Sequence, residues 1–176
     1  MVSPARWRTV AAASGLLAPD GEARPTIFAE MTALAAATGA ANLGQGFPDA
    51  DGPAWIREAA IEAIRTGHNQ SPPGRGIPAL RAAIAAHQSR HYGIDLDPDS
   101  EILVTAGATE AITAAVLALA GPCDEVLTLE PYYDSHAASI AMAGATHTTA
   151  PLVPSPDGIR LDIAALETAI TPRTRI

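Results

Sequence analysis

From residue 101 onward the sequence alternates between two periods, and that alternation restricts the chain to few folds. EILVT (101–105) and EVLTL (125–129) are short apolar runs rich in branched residues, and the helix-length segment between them closes at Gly121 and Pro122. A second helix-length segment, 134–143, leads into another branched run, THTTAPLV, at 146–153. Strand, helix, strand in repetition predicts βαβ units, hence a parallel sheet with helices packed on its faces. The fold class expected is α/β.

The residues before 101 are punctuated by Gly and Pro. A helix is predicted over 26–39, ending at Gly39; the Gly-, Pro- and Asp-dense stretch NLGQGFPDADGP, 42–53, is then a loop. Pro53 suits a first helical position, with Trp55, Ile56, Ala60, Ile61 and Ile64 as one buried stripe and Gly67 as the stop. A further helix is predicted from Pro78 to Gly93, after the loop HNQSPPGRGI (68–77). Arg6 and Arg8 precede TVAAASGLLA, which has the length of a signal-peptide core but is too weakly apolar for one, so a loosely ordered arm is expected there.

Charge narrows the function classes. The chain has 176 residues, 48% of them apolar, and a net charge of −8, which argues against partners held by neutralising phosphates, nucleic acid first among them. No run approaches the ~20 apolar residues that span a bilayer. The single cysteine, Cys123, reads as a turn residue without redox duty and fits a reducing compartment, so the cytoplasm is expected. All eleven basic residues are Arg; there is no Lys.

Within 103–113, LVTAGATEAIT, the strand-like run breaks at Gly107 and restarts as a helix. That break lies just past the carboxyl end of a strand, where ligands bind in open α/β sheets. Gly107 lets the backbone turn sharply, Ala108 and Thr109 leave their N–H groups uncovered at a helix N-terminus, and the Thr109 hydroxyl adds a donor, which together make a phosphate seat. An ordinary capped strand-to-helix turn accounts for the same residues. The stretch is neither a P-loop nor a G-x-G-x-x-G dinucleotide fingerprint.

Six motifs stand in order along the chain: NLGQGFPD, then NQ followed by PG, GIPALR and AIA, then LVTAGATEAI, EVLTLEPYYDS, AMAGA and TPRTR. Over about residues 26–176 this series resembles the class I aminotransferases, fold type I of the pyridoxal-phosphate enzymes, and most of all the branch with kynurenine, methionine and N-succinyldiaminopimelate aminotransferases. The resemblance implies pyridoxal 5'-phosphate as cofactor, amino acid and 2-oxo acid as substrates, and a homodimer. Gly107, Ala108 and Thr109 match the turn whose amides hold the cofactor phosphate, Tyr133 the aromatic position that stacks on the pyridine ring, and Gly46 the loop residue whose backbone faces the substrate carboxylate. Ser71 stands where the family usually has a Tyr that reaches the cofactor phosphate of the other subunit. Its shorter hydroxyl implies weaker phosphate binding or a bridging water, and a Ser71→Tyr change in a completed protein is expected to tighten cofactor affinity.

The family's chemistry needs a Lys amine, which joins the cofactor as a Schiff base and shuttles the substrate proton. No such residue exists in this chain, so no catalytic residue is assigned. The Lys, the Asp that pairs with the pyridine nitrogen and the Arg that clamps the substrate carboxylate match positions past Ile176. The expectation is therefore an N-terminal fragment, inactive alone, with 1–47 as N-terminal arm and small-domain contribution and 48–176 as the N-terminal half of the large cofactor-binding domain. In fold type I, four later strands separate the strand at 101–105 from that at 125–129, so the large-domain sheet is expected to be incomplete. A carbon–sulfur β-lyase of the same fold type, or a non-catalytic binding or partner chain, are the alternatives.

Other residues receive ordinary roles. His87 and His91 have metal-pair spacing but no evident third ligand, so no metal site is assigned. His136 follows the EPYYDS loop, near enough in sequence to approach the site. Asp49 and Asp51 are expected to cap the helix that starts at Pro53. Arg75, beside Ser71, is a candidate for reaching a phosphate or carboxylate of the partner subunit.

Overall fold

A computed structural model describes residues 6–46, 48 and 50–176. The elements in chain order are α1 (Arg6–Ala13), α2 (Ile27–Thr38), α3 (Ala54–Arg65), α4 (Pro78–Tyr92), α5 (Ala108–Leu119), β1 (Glu125–Glu130), α6 (Asp134–Ala143), β2 (Thr146–Ser155), β3 (Gly158–Leu161) and α7 (Ile163–Ala169). They fall into two compact units, Met1–Thr38 with Ala106–Ile176, and Gly39–Thr105.

The larger unit is built on the predicted βαβ motif. β1 and β2 pair in parallel from Glu125 opposite Thr146 to Glu130 opposite Pro151, with α6 as the crossover. β2 then turns back through Pro156 and Asp157 to pair antiparallel with β3, from Leu152 opposite Leu161 to Ser155 opposite Gly158, giving the sheet order β1-β2-β3. Val116 of α5, its C-cap Ala120, Val126 of β1 and Ile140 of α6 form the buried core, with Ala143 and Ala145 at its edge. Burial along β1 falls from Glu125 and Val126, both buried, to Leu129 and Glu130, both exposed, so the carboxyl end of the strand opens toward solvent. α6 ends at Gly144, whose φ of 76° closes the helix in the left-handed conformation that a side chain disfavours.

Thr174 bridges to Glu125 in parallel on the other edge of β1. The Glu125 and Leu127 N–H groups donate to the Arg173 and Ile176 carbonyls, both at 2.8 Å, and the Arg175 N–H donates back to the Glu125 carbonyl at 2.8 Å. The last residues of TPRTRI thus start a fourth line of the sheet, which the sequence reading did not count. Buried Glu125 fastens it: its carboxylate accepts from the Thr171 hydroxyl at 2.5 Å and from Arg173 Nε at 2.8 Å, and Arg173 Nη2 adds a further contact. These donors, the Thr171 hydroxyl first and Arg173 second, hold the Glu125 carboxyl below its ordinary value of 4.5.

The smaller unit carries α3 and α4. α4 follows its expected span, with Pro78 at its start and Gly93 (φ 66°) as its left-handed cap. Arg81 of α4 is buried and satisfied three ways, donating to the Pro98 carbonyl at 2.8 Å, the Gly76 carbonyl at 2.6 Å and Asp99 Oδ1 at 2.8 Å. Gly76, at φ 90°, sits so close to Val104 that a Cβ would stand 2.6 Å from that side chain. On the exposed loop beside these residues, the Ser100 hydroxyl and then the Asp99 N–H hold the Asp97 carboxyl below 3.8.

Four expectations are corrected. EILVT is not a strand: residues 102–105 run without regular secondary structure, and among the described residues no strand pairs with them. The stripe on α3 is not buried: Trp55 is 73% and Ile64 61% exposed, with Ile56, Ala60 and Ile61 also exposed, so the periodicity marks a face that nothing in this unit covers. Pro53 is the N-cap of α3 rather than its first residue, and no side chain caps that helix; Asp51 instead pairs with Arg57 at 2.8 Å. Asp49 lies outside the described residues. The arm at the N-terminus holds a helix, α1, which packs on α6.

Candidate functional site

Gly107 caps α5 with φ 86° and ψ 173°, a conformation open to Gly and strained for any other residue. A Cβ at this position would stand in open space, with nothing within 4 Å. The turn therefore needs Gly for its backbone conformation and not for lack of room at the Cβ position. Ala108 and Thr109, both exposed, are the first two helical residues, so their N–H groups precede the helix's own ladder, which begins with Ala111 N–H on the Gly107 carbonyl at 3.3 Å. The Glu110 carboxylate folds back and accepts from the Ala106 N–H, which fastens the turn.

Tyr133 lies in the same unit, as the N-cap of α6, three residues past the end of β1. Its ring is half exposed and is flanked by Phe28 of α2, with centroids 6.2 Å apart, and by His136, edge-on at 6.0 Å. His136 thus stands beside Tyr133, in the unit that holds the Gly107 turn. Phe28 was not foreseen, because its place on a predicted helix carried no signal of where that helix packs. Beside these rings, His147 on β2 bonds the Thr128 hydroxyl at 2.8 Å and meets Tyr132 at 4.6 Å. Burial lowers the His147 pKa below 6.5; Glu130 opposes that shift and His136 adds to it.

Two hydroxyls join the starts of the two helices. Thr113 Oγ1 and Ser139 Oγ lie 2.8 Å apart across the α5–α6 packing, and each also reaches a carbonyl one turn back on its own helix, Thr109 and Ser135, both at 2.8 Å. Neither hydroxyl was singled out in the sequence, since a Thr and a Ser on separate helices share no local pattern.

Gly46 and Ser71 belong to the other unit, each exposed and in a loop. Arg75 is occupied there: its guanidinium donates to the Asp99 and Ile102 carbonyls, and its own carbonyl accepts from Val104 N–H at 3.2 Å. Its atoms brace the loop before α4 rather than reach outward. The His87 and His91 rings stand 4.5 Å apart, and among the described residues no group of three or more His, Cys, Asp or Glu gathers into a metal site. Cys123 is exposed with φ 79°, in the turn between α5 and β1.

The residues of the larger unit fit a phosphorylated aromatic ligand. Two exposed residues, Ala108 and Thr109, the second with a hydroxyl, stand at the helix N-terminus after the Gly107 turn, where the first amides favour an anion, and the half-exposed Tyr133 offers a surface for a flat ring. Among the described residues no helix is long and apolar enough to cross a membrane.

Residues 38–176 match the family described as aminotransferase class I and II. A Mycobacterium tuberculosis protein named probable N-succinyldiaminopimelate aminotransferase DapC is 59% identical over 150 residues, which are 85% of this chain and 38% of that protein. The methionine aminotransferase of Escherichia coli K12 is 44% identical over 151 residues, 86% of this chain and 39% of its own. The solved structure of N-succinyldiaminopimelate aminotransferase from Mycobacterium tuberculosis superposes with a TM-score of 0.82 at 53% identity, covering 98% of this chain and 42% of that one. The chain spans about two fifths of the length of these relatives.

Proposed function

The chain belongs to the class I and II aminotransferase family, and we propose that it supplies the phosphate seat and ring contact of an enzyme that moves an amino group from an amino acid to a 2-oxo acid with pyridoxal 5'-phosphate. The observation that carries this reading is the Gly107 turn at the start of α5, with Ala108 and Thr109 exposed behind it, in the same unit as a half-exposed Tyr133. Each relative reported above is an aminotransferase by name, which favours amino transfer over β-elimination.

In this reading the Ala108 and Thr109 N–H groups and the Thr109 hydroxyl donate to the phosphate, with the α5 dipole adding to the attraction. The Tyr133 ring orients the pyridine by stacking. The Gly46 backbone faces the substrate carboxylate, and the Ser71 hydroxyl reaches toward the phosphate held by the other subunit of a cytoplasmic homodimer. The boundary proposed between arm and large domain stays at 47–48. Pyridoxal phosphate, when bound, supplies the electron-withdrawing ring that carries the amino group between substrates. In this family the amine of a Lys joins the cofactor and shuttles the proton of the substrate α-carbon; this chain has no Lys, and its eleven Arg guanidiniums stay protonated. The chain alone therefore binds without turning over.

A chimera tests the activity. When the matching 150-residue segment of the Mycobacterium tuberculosis relative is replaced by this chain's, the product should transfer amino groups to a 2-oxo acid, with N-succinyldiaminopimelate as the first donor tried and methionine as the second. A folded chimera that holds pyridoxal phosphate yet transfers from neither donor would sink the reading. For the chain itself, equilibrium dialysis should show pyridoxal phosphate binding more tightly than pyridoxal, with inorganic phosphate competing.

A further inference from the structure

The phosphate seat at Gly107 and the aromatic contact at Tyr133 sit at the starts of two different helices, α5 and α6. A ligand that engages both gains from their being held at a set separation, because each contact then places the ligand for the other. The packing between α5 and α6 is otherwise apolar at Val116 and Ile140, and such contacts tolerate small slides of one helix along the other. The Thr113–Ser139 bridge is directional and sits one turn inside both helix starts, with Ser139 only 2% exposed.

Proton counting sharpens its role. Two hydroxyls carry two protons, and three close oxygen pairs compete for them: Thr113 with the Thr109 carbonyl, Thr113 with Ser139, and Ser139 with the Ser135 carbonyl. If both protons point to the carbonyls, the 2.8 Å approach between hydroxyls has no proton in it. The arrangement is satisfied when one hydroxyl donates to the other and the acceptor donates to its own carbonyl. The bridge therefore ties the first turn of one helix, through both hydroxyls, to the second turn of the other, whichever way it is polarised.

We infer that Thr113 and Ser139 are positioning residues for the cofactor site, holding the phosphate seat and Tyr133 at the spacing that pyridoxal phosphate spans. This rests on the proposed function, and nothing in it requires either hydroxyl to touch the ligand. A ligand that occupies the seat alone has no use for the spacing.

The test compares two probes on the full chain, pyridoxal 5'-phosphate and inorganic phosphate, by equilibrium dialysis. Thr113→Val and Ser139→Ala should each weaken pyridoxal phosphate by about three- to tenfold, the scale of one hydrogen bond. The double variant should lose no more than either single one, and Thr113→Ser should restore the affinity. Inorganic phosphate should bind all of them as it binds the wild type. Unchanged pyridoxal phosphate affinity in a folded Thr113→Val or Ser139→Ala chain would overturn the inference, and so would parallel weakening of both probes, the mark of a merely structural role. A wild-type chain with no preference for pyridoxal phosphate over pyridoxal overturns the proposed function, and the inference with it.

Discussion

At Gly107 the backbone conformation and the proposed chemistry make the same demand, so one substitution reports on both. Gly107→Val forces a branched side chain into φ 86° and ψ 173°, at a cost of about 1–3 kcal/mol that denaturant titration should resolve. The same side chain projects into the open space over Ala108 and Thr109, so both phosphate and pyridoxal phosphate should be lost from the seat. Tyr133→Ala separates ring from phosphate. It should weaken pyridoxal phosphate by about 0.5–1.5 kcal/mol, roughly two- to tenfold, and leave inorganic phosphate unaffected in dialysis. Gly107 was legible in the sequence because only one residue type suits an abrupt strand-to-helix turn. Arg81 was not, because its three acceptors are a carboxylate and two carbonyls brought to it by the chain's path, and carbonyls carry no sequence signal.

Among the elements, helices bounded by Pro and Gly were legible to within a residue or so, since those residues act through their own backbone. α4 from Pro78 to the Gly93 cap is the clearest case. Strands were legible only where their partners are present: β1 and β2 pair as expected, whereas EILVT, equally rich in branched residues, makes no ladder. The edge of β1 adds a feature that local patterns do not encode, the clamp by which Glu125 holds the segment at Thr171–Arg173. Its consequence is acid sensitivity. The Glu125 pKa lies below 4.5 in the folded chain, so its contribution is fully present above that pH and is lost as pH falls through the folded value. His147 acts in the same direction at higher pH: partly buried and resisting protonation, it loses ground to the unfolded chain as pH falls below 6.5. Relative to the intrinsic rate of an unprotected amide, which itself slows in acid, hydrogen exchange at Leu127 and Arg175 should therefore accelerate as pH falls. Glu125→Gln should raise that exchange at neutral pH and flatten the dependence below 4.5, while His147→Asn should flatten only the limb beginning near 6.5. An unchanged profile in Glu125→Gln would place the acid sensitivity elsewhere.

For the molecule as a whole, surface area is the governing quantity. The chain exposes 12855 Å² at a mass of 18.0 kDa. A folded monomer of that mass exposes about 8,000 Å², so about 4,800 Å² is left uncovered beyond the ordinary. That excess is larger than the roughly 1,000–2,500 Å² that each partner buries in an obligate interface of about 2,000–5,000 Å² in total. Much of it is apolar and ordered in pattern. Trp55 and Ile64 on α3, Leu117 and Leu119 on α5, and Ile163 on α7 are all more than 45% exposed, although each lies on a helix. The α3 stripe was read as buried and is exposed, because periodicity shows which residues share a helix face and is silent on whether anything packs against it. Surface of this kind associates in water, each 100 Å² of apolar area favouring burial by about 2.5 kcal/mol before the entropic costs of association. The chain in isolation should therefore form concentration-dependent oligomers in sedimentation velocity and enhance the fluorescence of an apolar dye. Trp55→Glu with Ile64→Lys changes two side chains that the fold does not use internally, so it should reduce association and dye binding while leaving the helical circular dichroism unchanged. A wild-type chain that sediments as a monomer at every concentration and binds no dye would mean that the exposed stripes find cover within the chain.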